Sequence, residues 1–486
     1  MQFAALIRHF AQRRARMVDI IIEGGQVVTP AGVGIFDVAI HGEKIVAVTE
    51  PGGLDIEAGK RIDASGNIVI PGGIEPHAHI GGPRQPERSG AEPVSLAAIY
   101  GGTTTVLDFA NQVPGHDLHH ALGEAADRWR GNAYTDYSYH PIFTRGAEDH
   151  VIGQIGELTQ DGYASFKVFT TSIRPPSPQM QDNKTDFGRL SAIMDEVAAS
   201  GSILMIHSED DDMVMYNYDH AKEWDWWDWW NMHHVHSNLS EDVSFRRAIR
   251  LAEQKRCPVY FVHVSAGEGV RAVTETRGAG FPIYGETLHN YACFNAENYR
   301  EEYGMKYHTY PSLKSPEDAD SLWQGLLDGR LSTIATDLVS TTWEEKTRFK
   351  TVADVTGGHN GIETRVGIAY TEGVVRRGMS LQRFVDITST NAAKIMGLYP
   401  RKGIIAAGSD ADITILDPTI KGALSLDDLH LEDYSIWEGW EIEGWPVTTI
   451  LRGNVMIEDR ELVGTPSVGQ FVRRKIAPEV LARPVC

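Results

Sequence analysis

Between residues 71 and 399 short apolar runs alternate with helical stretches, and this alternation restricts the fold more than any other feature of the chain. The runs are "GIEPHAHI", "TTTVLDFA", "YSYHPIF", "ASFKVFT", "SILMIHS", "PVYFVHV", "PIYGET" and "STIATD". Each has strand length and is bounded by turn or helix signals. Helices are expected at "HHALGEAADRWR", "DFGRLSAIMDEVAAS", "SEDVSFRRAIRLAEQ" and "SLQRFVDITSTNAAKIM". Strands separated by helices pair in parallel, and eight of them is the number that closes a (β/α)8 barrel.

The two ends of the chain read differently. Residues 17 to 70 ("DIIIEGGQVVTP", "FDVAIHGEKIVAV", "KRIDASGNIVIPG") are Val- and Ile-rich segments joined by Gly-containing turns, with no helical period. The same texture returns in "KGIIAAGSDADITILDP" and "TTILRGNVMIEDRELVG". The expected fold class is therefore α/β: a TIM-like barrel over 71–399, with a small β-sandwich domain built from 17–70 and 400–465. Residues 466–486 are a C-terminal tail and 1–16 an N-terminal extension. The extension carries four arginines and no acid. Without a long apolar core or a small-residue cleavage site, it reads as a non-native or upstream start rather than a targeting peptide.

No window approaches the roughly 18 apolar residues of a membrane span. Asp and Glu outnumber Lys and Arg, 66 to 45, for a net charge of −21. That field repels nucleic acid and anionic membranes. A neutral or cationic small molecule is the expected partner. Cys257, Cys293 and Cys486 show no CxxC pairing, so neither a disulfide framework nor a zinc ribbon is expected, and a reducing cytoplasm fits.

Barrel chemistry sits at the C-terminal ends of the strands. His77 and His79 stand two residues apart in the first run, so on a strand they face the same way. The fourth run carries Lys167, the fifth ends at His207, the sixth at His263 and the eighth at Asp337. Singly, each has an ordinary structural explanation: a hydrogen-bonded core histidine, a paired lysine, a helix-capping aspartate. Together at matching strand ends they point to a metal centre. Imidazole and carboxylate donors in an open mouth suit zinc, with manganese, cobalt, nickel or iron as alternatives. Four histidines and an aspartate exceed what one catalytic zinc takes, so two ions are expected. Burial beside them favours neutral Lys167, and an anionic derivative of it would bridge the ions.

These motifs, with "GGTTTVLDFANQ", "SFKVF", "MIHSED", "VHVSAG", "NGIETRVGI" and "TSTNAAKIMGLYPRKGIIAAGSDADITILDP", resemble those of the cyclic amidohydrolases, specifically the dihydropyrimidinase and hydantoinase family. The resemblance runs through nearly the whole chain. It implies a barrel plus a β-sandwich, two divalent ions per subunit and an N6-carboxylysine at Lys167. His77, His79, Lys167 and Asp337 would hold one ion, and Lys167, His207 and His263 the other. The implied activity is hydrolytic ring opening of a cyclic ureide or imide, of the hydantoin or dihydropyrimidine type. A metal-bridging hydroxide would attack the carbonyl, with Asp337 as the catalytic base. Main-chain groups near Tyr310 and Asn360 would contact the substrate. The implied assembly is a homotetramer, with the tail a candidate for subunit contacts.

The chain departs from that pattern in places. Ser172 stands where the family usually has an oxyanion-holding tyrosine, five residues after the lysine. Ser172 is thus a candidate substrate contact, and the alternative substrates are another amide class: a lactam, an allantoin-like ureide or a carbamate. Tyr310 replaces the family's usual serine and is a candidate source of the missing hydroxyl. Gly81 stands where dihydroorotases carry a carboxylate-gripping arginine, which argues against that substrate. Arg84 and Arg88 read as solvated loop charges. Segments 81–95 and 170–187 are expected to be the loops that set preference. Glu286 and His289 read as hydrogen-bonding support. Trp224, Trp226, Trp227, Trp229 and Trp230 form either a lid for an aromatic substrate or a face packed on a neighbouring subunit. The histidines that follow, His233, His234 and His236, are a weaker metal candidate. The non-enzymatic alternative, a scaffold that has lost its chemistry, is opposed by the presence of all six candidate ligands.

Overall fold

The computed structural model describes residues 17–54, 56–81, 89–144, 147–175, 183–431 and 433–486. Arg84, Arg88 and the extension 1–16 lie outside the described residues. Five strands come first: β1 (Met17–Thr29), β2 (Gly32–His41), β3 (Lys44–Thr49), β4 (Glu57–Asp63) and β5 (Ile68–Pro71).

The middle of the chain then lays down β6 (Gly73–His79), β7 (Thr103–Asn111), β8 (Asp136–Ile142), β9 (Ser165–Phe169) and β10 (Ile203–His207). β11 (Val259–Phe261), β12 (Ile283–Leu288), β13 (Thr333–Ala335) and β14 (Leu338–Val339) follow. Their order is β13-β12-β11-β10-β9-β8-β7-β6-β14, and the neighbours pair in parallel. β13 and β14 flank Thr336 and Asp337 and occupy one strand position. Because β13 pairs with β12 and β14 with β6, the sheet closes into an eight-position barrel. All eight runs expected from the sequence are these strands.

Closure explains their composition. A barrel strand is covered on both faces, so it needs a continuous apolar run rather than an alternating one. On β7 and β8, Leu107, Phe109 and Ile142 fill the interior with Met205, Tyr260 and Tyr284. Val106, Ala110, Phe166 and Val168 pack outward against the helices. The helices Leu118–Trp129, Phe187–Ser200 and Asn238–Lys255 stand where expected, opened by Asp117, Asp186 and Ser237, whose side chains accept backbone N–H bonds. The fourth expected helix is two short helices, Leu381–Val385 and Asn391–Ile395, joined through a π-helical turn at Asp386–Thr390.

The last strands, β15 (Ile413–Ala423), β16 (Glu441–Leu451), β17 (Asn454–Glu458) and β18 (Glu461–Leu462), join the first five in one sheet ordered β18-β17-β16-β15-β5-β1-β2-β3, with β4 on β1. Its own core includes Ile20, Ile22, Val27, Val38, Ile413 and Ile450. Where this sheet meets the barrel, ligand atoms of Asp136, Asp410 and Asp412 lie within 4.8 Å of one another. Lys402 already sits among them: its Nζ is 2.7 Å from Asp136, 3.4 Å from Asp410 and bonded to Asp412. This trio is an ion-pair joint.

The tail packs into its own barrel, at the end opposite His77 and His79. Val472, Ile476 and Val480 belong to the interior core. Buried Arg474 donates to Ser138 Oγ at 2.9 Å and Ser165 Oγ at 2.7 Å, and the Tyr284 hydroxyl donates to the Val480 carbonyl at 2.7 Å.

Candidate metal centre

β6 turns Glu75, His77 and His79 to one side, as residues two apart on a strand must be. Lys167 of β9, His207 of β10, His263 just beyond β11 and Asp337 between β13 and β14 reach the same mouth. All six candidate ligands line one cavity of about 500 Å³. Ring centroids are 5.5 Å apart for His77 and His79, 5.4 Å for His77 and His263, and 4.4 Å for His207 and His263. Asp337 Oδ1 lies 3.0 Å from His77 Nε2 and 3.3 Å from His79 Nε2.

These donors fit divalent cations. His77 Nε2 makes no hydrogen bond in spite of its distance to Asp337, and the fully buried Lys167 Nζ has no hydrogen-bond partner. Buried polar atoms are nearly always satisfied, and imidazole nitrogens and a carboxylate that converge on one point are what a cation completes, taking the place of the proton His77 holds without it. The surroundings also select which ring nitrogen faces the cavity. Glu286 Oε1 lies 2.6 Å from His77 Nδ1, which leaves Nε2 for an ion. Glu209 Oε2 lies 3.0 Å from His207 Nε2, which leaves Nδ1.

Glu286 thus supports the centre, and His289 does not. The His289 ring stacks on Trp437 and its Nε2 lies 3.2 Å from Thr364 Oγ1. Sequence reasoning missed Glu209, although it stands two residues after His207. His236 holds it, with Nδ1 2.8 Å from Glu209 Oε1, and His236 Nε2 lies 3.0 Å from the Tyr218 hydroxyl. His236 is therefore engaged away from any cluster with His233 and His234. Also missed was Arg365, whose Nε lies 3.1 Å from Glu75 Oε2 beneath the site, both fully buried.

Electrostatics follow the geometry in the metal-free protein. Burial alone would strip His77 of its proton, but the Asp337 and Glu286 carboxylates overcome it and hold the imidazole up at about 9. Burial opposes the charge of Asp337, yet His77 and His79 hold its carboxyl well below the usual range. Burial pushes the Lys167 amine down to about 8, against the pull of Asp337 and Glu286. The rings of Phe109 and Phe169, with centroids 5.3 and 5.2 Å from Nζ, add a further cushion for its charge. Burial also drives His263 well below its ordinary value.

Two of the candidate ligands have left-handed backbones, His263 at φ 40° and Asp337 at φ 48°. For Asp337 this interrupts the eighth strand and swings the carboxylate inward. Ile173 at φ 70° is a rarer case, a β-branched residue in that region. It lines the cavity, whereas Ser172 is not among the lining residues and donates its backbone N–H to Asp211 Oδ1 at 2.7 Å.

Tyr310 lines the cavity, but its hydroxyl donates to the Val355 carbonyl at 3.3 Å. Asn360 is buried outside the lining. Its side chain pairs with the main chain of Thr341, accepting from N at 3.2 Å and donating to O at 3.3 Å. None of the five clustered tryptophans lines the cavity. Trp226, Trp227, Trp229 and Trp230 pack on the main core, while Trp224 is more exposed.

Comparison with known proteins agrees with this geometry. The model of the amidohydrolase family matches residues 68–456. The chain belongs to the amidohydrolase family. It is 32% identical over 463 residues to a D-hydantoinase of Geobacillus stearothermophilus, covering 93% of this chain and 96% of that one. A D-hydantoinase of Rhizobium radiobacter is 33% identical over 467 residues, 94% of this chain and 99% of the relative. Among solved structures, the dihydropyrimidinase from Brevibacillus agri NCHU1002 superposes with a TM-score of 0.87 at 32% identity, covering 94% of this chain and 99% of that one.

Proposed function

We propose that the protein is a metal-dependent hydrolase that opens the amide bond of a cyclic ureide or imide, of the hydantoin or dihydropyrimidine type. The observation that carries this reading is the convergence of His77, His79, Lys167, His207, His263 and Asp337 on one cavity. When bound, two divalent ions supply Lewis acidity toward the amide carbonyl and lower the pKa of the attacking water. His77, His79 and Asp337 would hold one ion and His207 and His263 the other. Lys167, as N6-carboxylysine, would reach both. Zinc suits the donors best.

Asp337 stays ionised because His77 and His79 hold its pKa down, so it can take the proton of the attacking water. It then passes that proton to the ring nitrogen as the C–N bond breaks, yielding a carboxylate and a freed amide or amine. Phe169 lines the cavity and gives it an apolar wall, while Phe109, stacked on His79 at 4.3 Å, braces that ring. Thr309, Tyr310, Gly357 and Gly358 also line the cavity, and their main-chain groups would meet the cyclic amide. A homotetramer in a reducing cytoplasm is the proposed setting, in keeping with three free cysteines.

A second reading has its own observation. Ile173 lines the cavity while Ser172 does not, and the Tyr310 hydroxyl is engaged elsewhere. This favours a substrate that needs less help there, such as a lactam, an allantoin-like ureide or a carbamate. The test is a mass-spectrometric screen for gain of one water across dihydrouracil, hydantoins, cyclic imides, allantoin, lactams and linear carbamates, with wild type and Asp337→Asn. Ring opening of a cyclic ureide or imide, lost in the variant, is expected. Turnover confined to allantoin, lactams or carbamates would select the second reading, and silence from metal-loaded protein would overturn both.

A further inference from the structure

Lys346 is fully buried. It sits in the short helix Trp343–Thr347, whose capping box, formed by Thr342 and Glu345, fixes the turn at its start. A buried ammonium normally meets a carboxylate. Here the Nζ instead donates to three main-chain carbonyls, those of His308, Thr356 and Gly358, the second at 2.9 Å. Three acceptors match the three N–H donors of a charged lysine; burial pushes the amine well below its ordinary pKa, no ion pair joins Lys346 to a carboxylate among the described residues, and the carbonyl cage is what holds its protons.

The three carbonyls belong to two separate segments. His308 precedes Thr309 and Tyr310, and Thr356 and Gly358 flank Gly357. Thr309, Tyr310, Gly357 and Gly358 all line the catalytic cavity. The contact between these segments is close: a Cβ on Gly357 would collide with the Tyr310 ring, and the Tyr310 hydroxyl reaches the Val355 carbonyl. Neither segment is in a strand, so no sheet ladder sets their separation. The Lys346 side chain bonds both segments.

We propose that Lys346 is the positioning residue for substrate binding: its ammonium clamps segments 308–310 and 356–358 together, so that their peptide groups stand at the spacing a cyclic amide requires. This rests on the cyclic-amide reading for its consequence and on the clamp alone for its cause. Lys346 touches neither the substrate nor the metal centre. Its loss shifts binding, through misplaced peptide groups, more than it shifts the chemical step.

The experiment compares wild type with Lys346→Met, and with Lys346→Gln, which keeps two donors. Metal content, steady-state kinetics on the best cyclic amide and amide hydrogen exchange are measured on each. The expected Met variant keeps its metal, raises KM about tenfold or more and changes kcat by less than about threefold. Exchange quickens at 308–310 and 356–358 and is unchanged at the β6 and β10 ends. The Gln variant shows the same pattern at smaller amplitude and replaces the Met variant if that one does not fold. Wild-type KM and exchange in either folded variant would overturn the proposal, as would a kcat loss at constant KM. A wild type that opens no cyclic amide would refute the functional reading, and the exchange pattern would still decide the clamp.

Discussion

Glu286 Oε1 and His77 Nδ1 lie 2.6 Å apart in the barrel interior, and this contact fixes the face that His77 turns to the cavity. The same carboxylate accepts the Tyr260 hydroxyl at 2.7 Å and the His263 backbone N–H at 3.1 Å. One carboxylate therefore orients two of the candidate ligands.

Glu286→Ala should lower metal affinity by about 10–100-fold, the usual cost of losing a carboxylate behind a metal-bound imidazole. Competition against a fluorescent chelator measures it. Unchanged affinity would mean that His77 is oriented by packing alone.

Carboxylation needs the neutral Lys167 amine and carbon dioxide, with release of one proton. With the pKa near 8, the neutral fraction rises from roughly a tenth at pH 7 to about three quarters at pH 8.5. Chelator-stripped protein given zinc should regain activity faster at pH 8.5 than at pH 7, and only with bicarbonate present. Full recovery in carbon-dioxide-free buffer would argue against the carbamate.

In the metal-free protein His77 is held up at about 9, against an ordinary 6.5. A raised histidine pKa stabilises the fold fully below the unfolded value, and the gain is lost as pH climbs through the folded value. The metal-free melting temperature should therefore fall by a few degrees between about pH 6.5 and 9. Asp337→Asn removes the principal raising charge and should flatten that slope. An equally steep slope in the variant would assign it to other groups.

Arg365 and Glu75 form a fully buried pair, and Arg365 also donates to the carbonyls of Ile334 and Thr388, each at 3.1 Å. Arg365→Met should cost about 3–5 kcal/mol by leaving a buried carboxylate unpaired. Glu75→Gln in the same chain should recover part of that loss, so a double-mutant cycle in urea should show coupling of at least about 1 kcal/mol. Strict additivity would show that Glu75 is already neutral in the fold, which its burial favours by raising its pKa to about 7.

The eight strands were legible because a barrel strand is buried on both faces and so announces itself as an apolar run, with its polar terminus marking the open end. His77, His79, His207, His263 and Asp337 were visible for that reason, and Lys167 as the one charge inside the run Ser165–Phe169. The helices Ala91–Tyr100, Gly267–Gly278 and Pro316–Asp328 were not, since the first has almost no polar face and the second opens on Gly-Glu-Gly. The third did carry start signals, Ser-Pro with Asp318 completing a capping box and an acidic first turn. Glu75 and Arg365 are 290 positions apart, and no local pattern links residues that meet only when the ring closes. The same holds for Glu209 with His236 and for Lys346, whose partners are carbonyls and leave no trace in side-chain identity.

The break in the eighth strand at Asp337 has a mechanical side. Elsewhere the ring is stitched by ladders such as the seven residue pairs between β7 and β8, but at the seam β14 meets β6 through two, Leu338 with Ala78 and Val339 with His79. That seam is among the shortest in the circumference, with only the single pair of Ile142 and Lys167 between β8 and β9 shorter, and it lies beside the residues that would grip an ion. A cation held jointly by His77, His79 and Asp337 would rivet the first strand to the last, so that loading the metal and locking the hoop are one event.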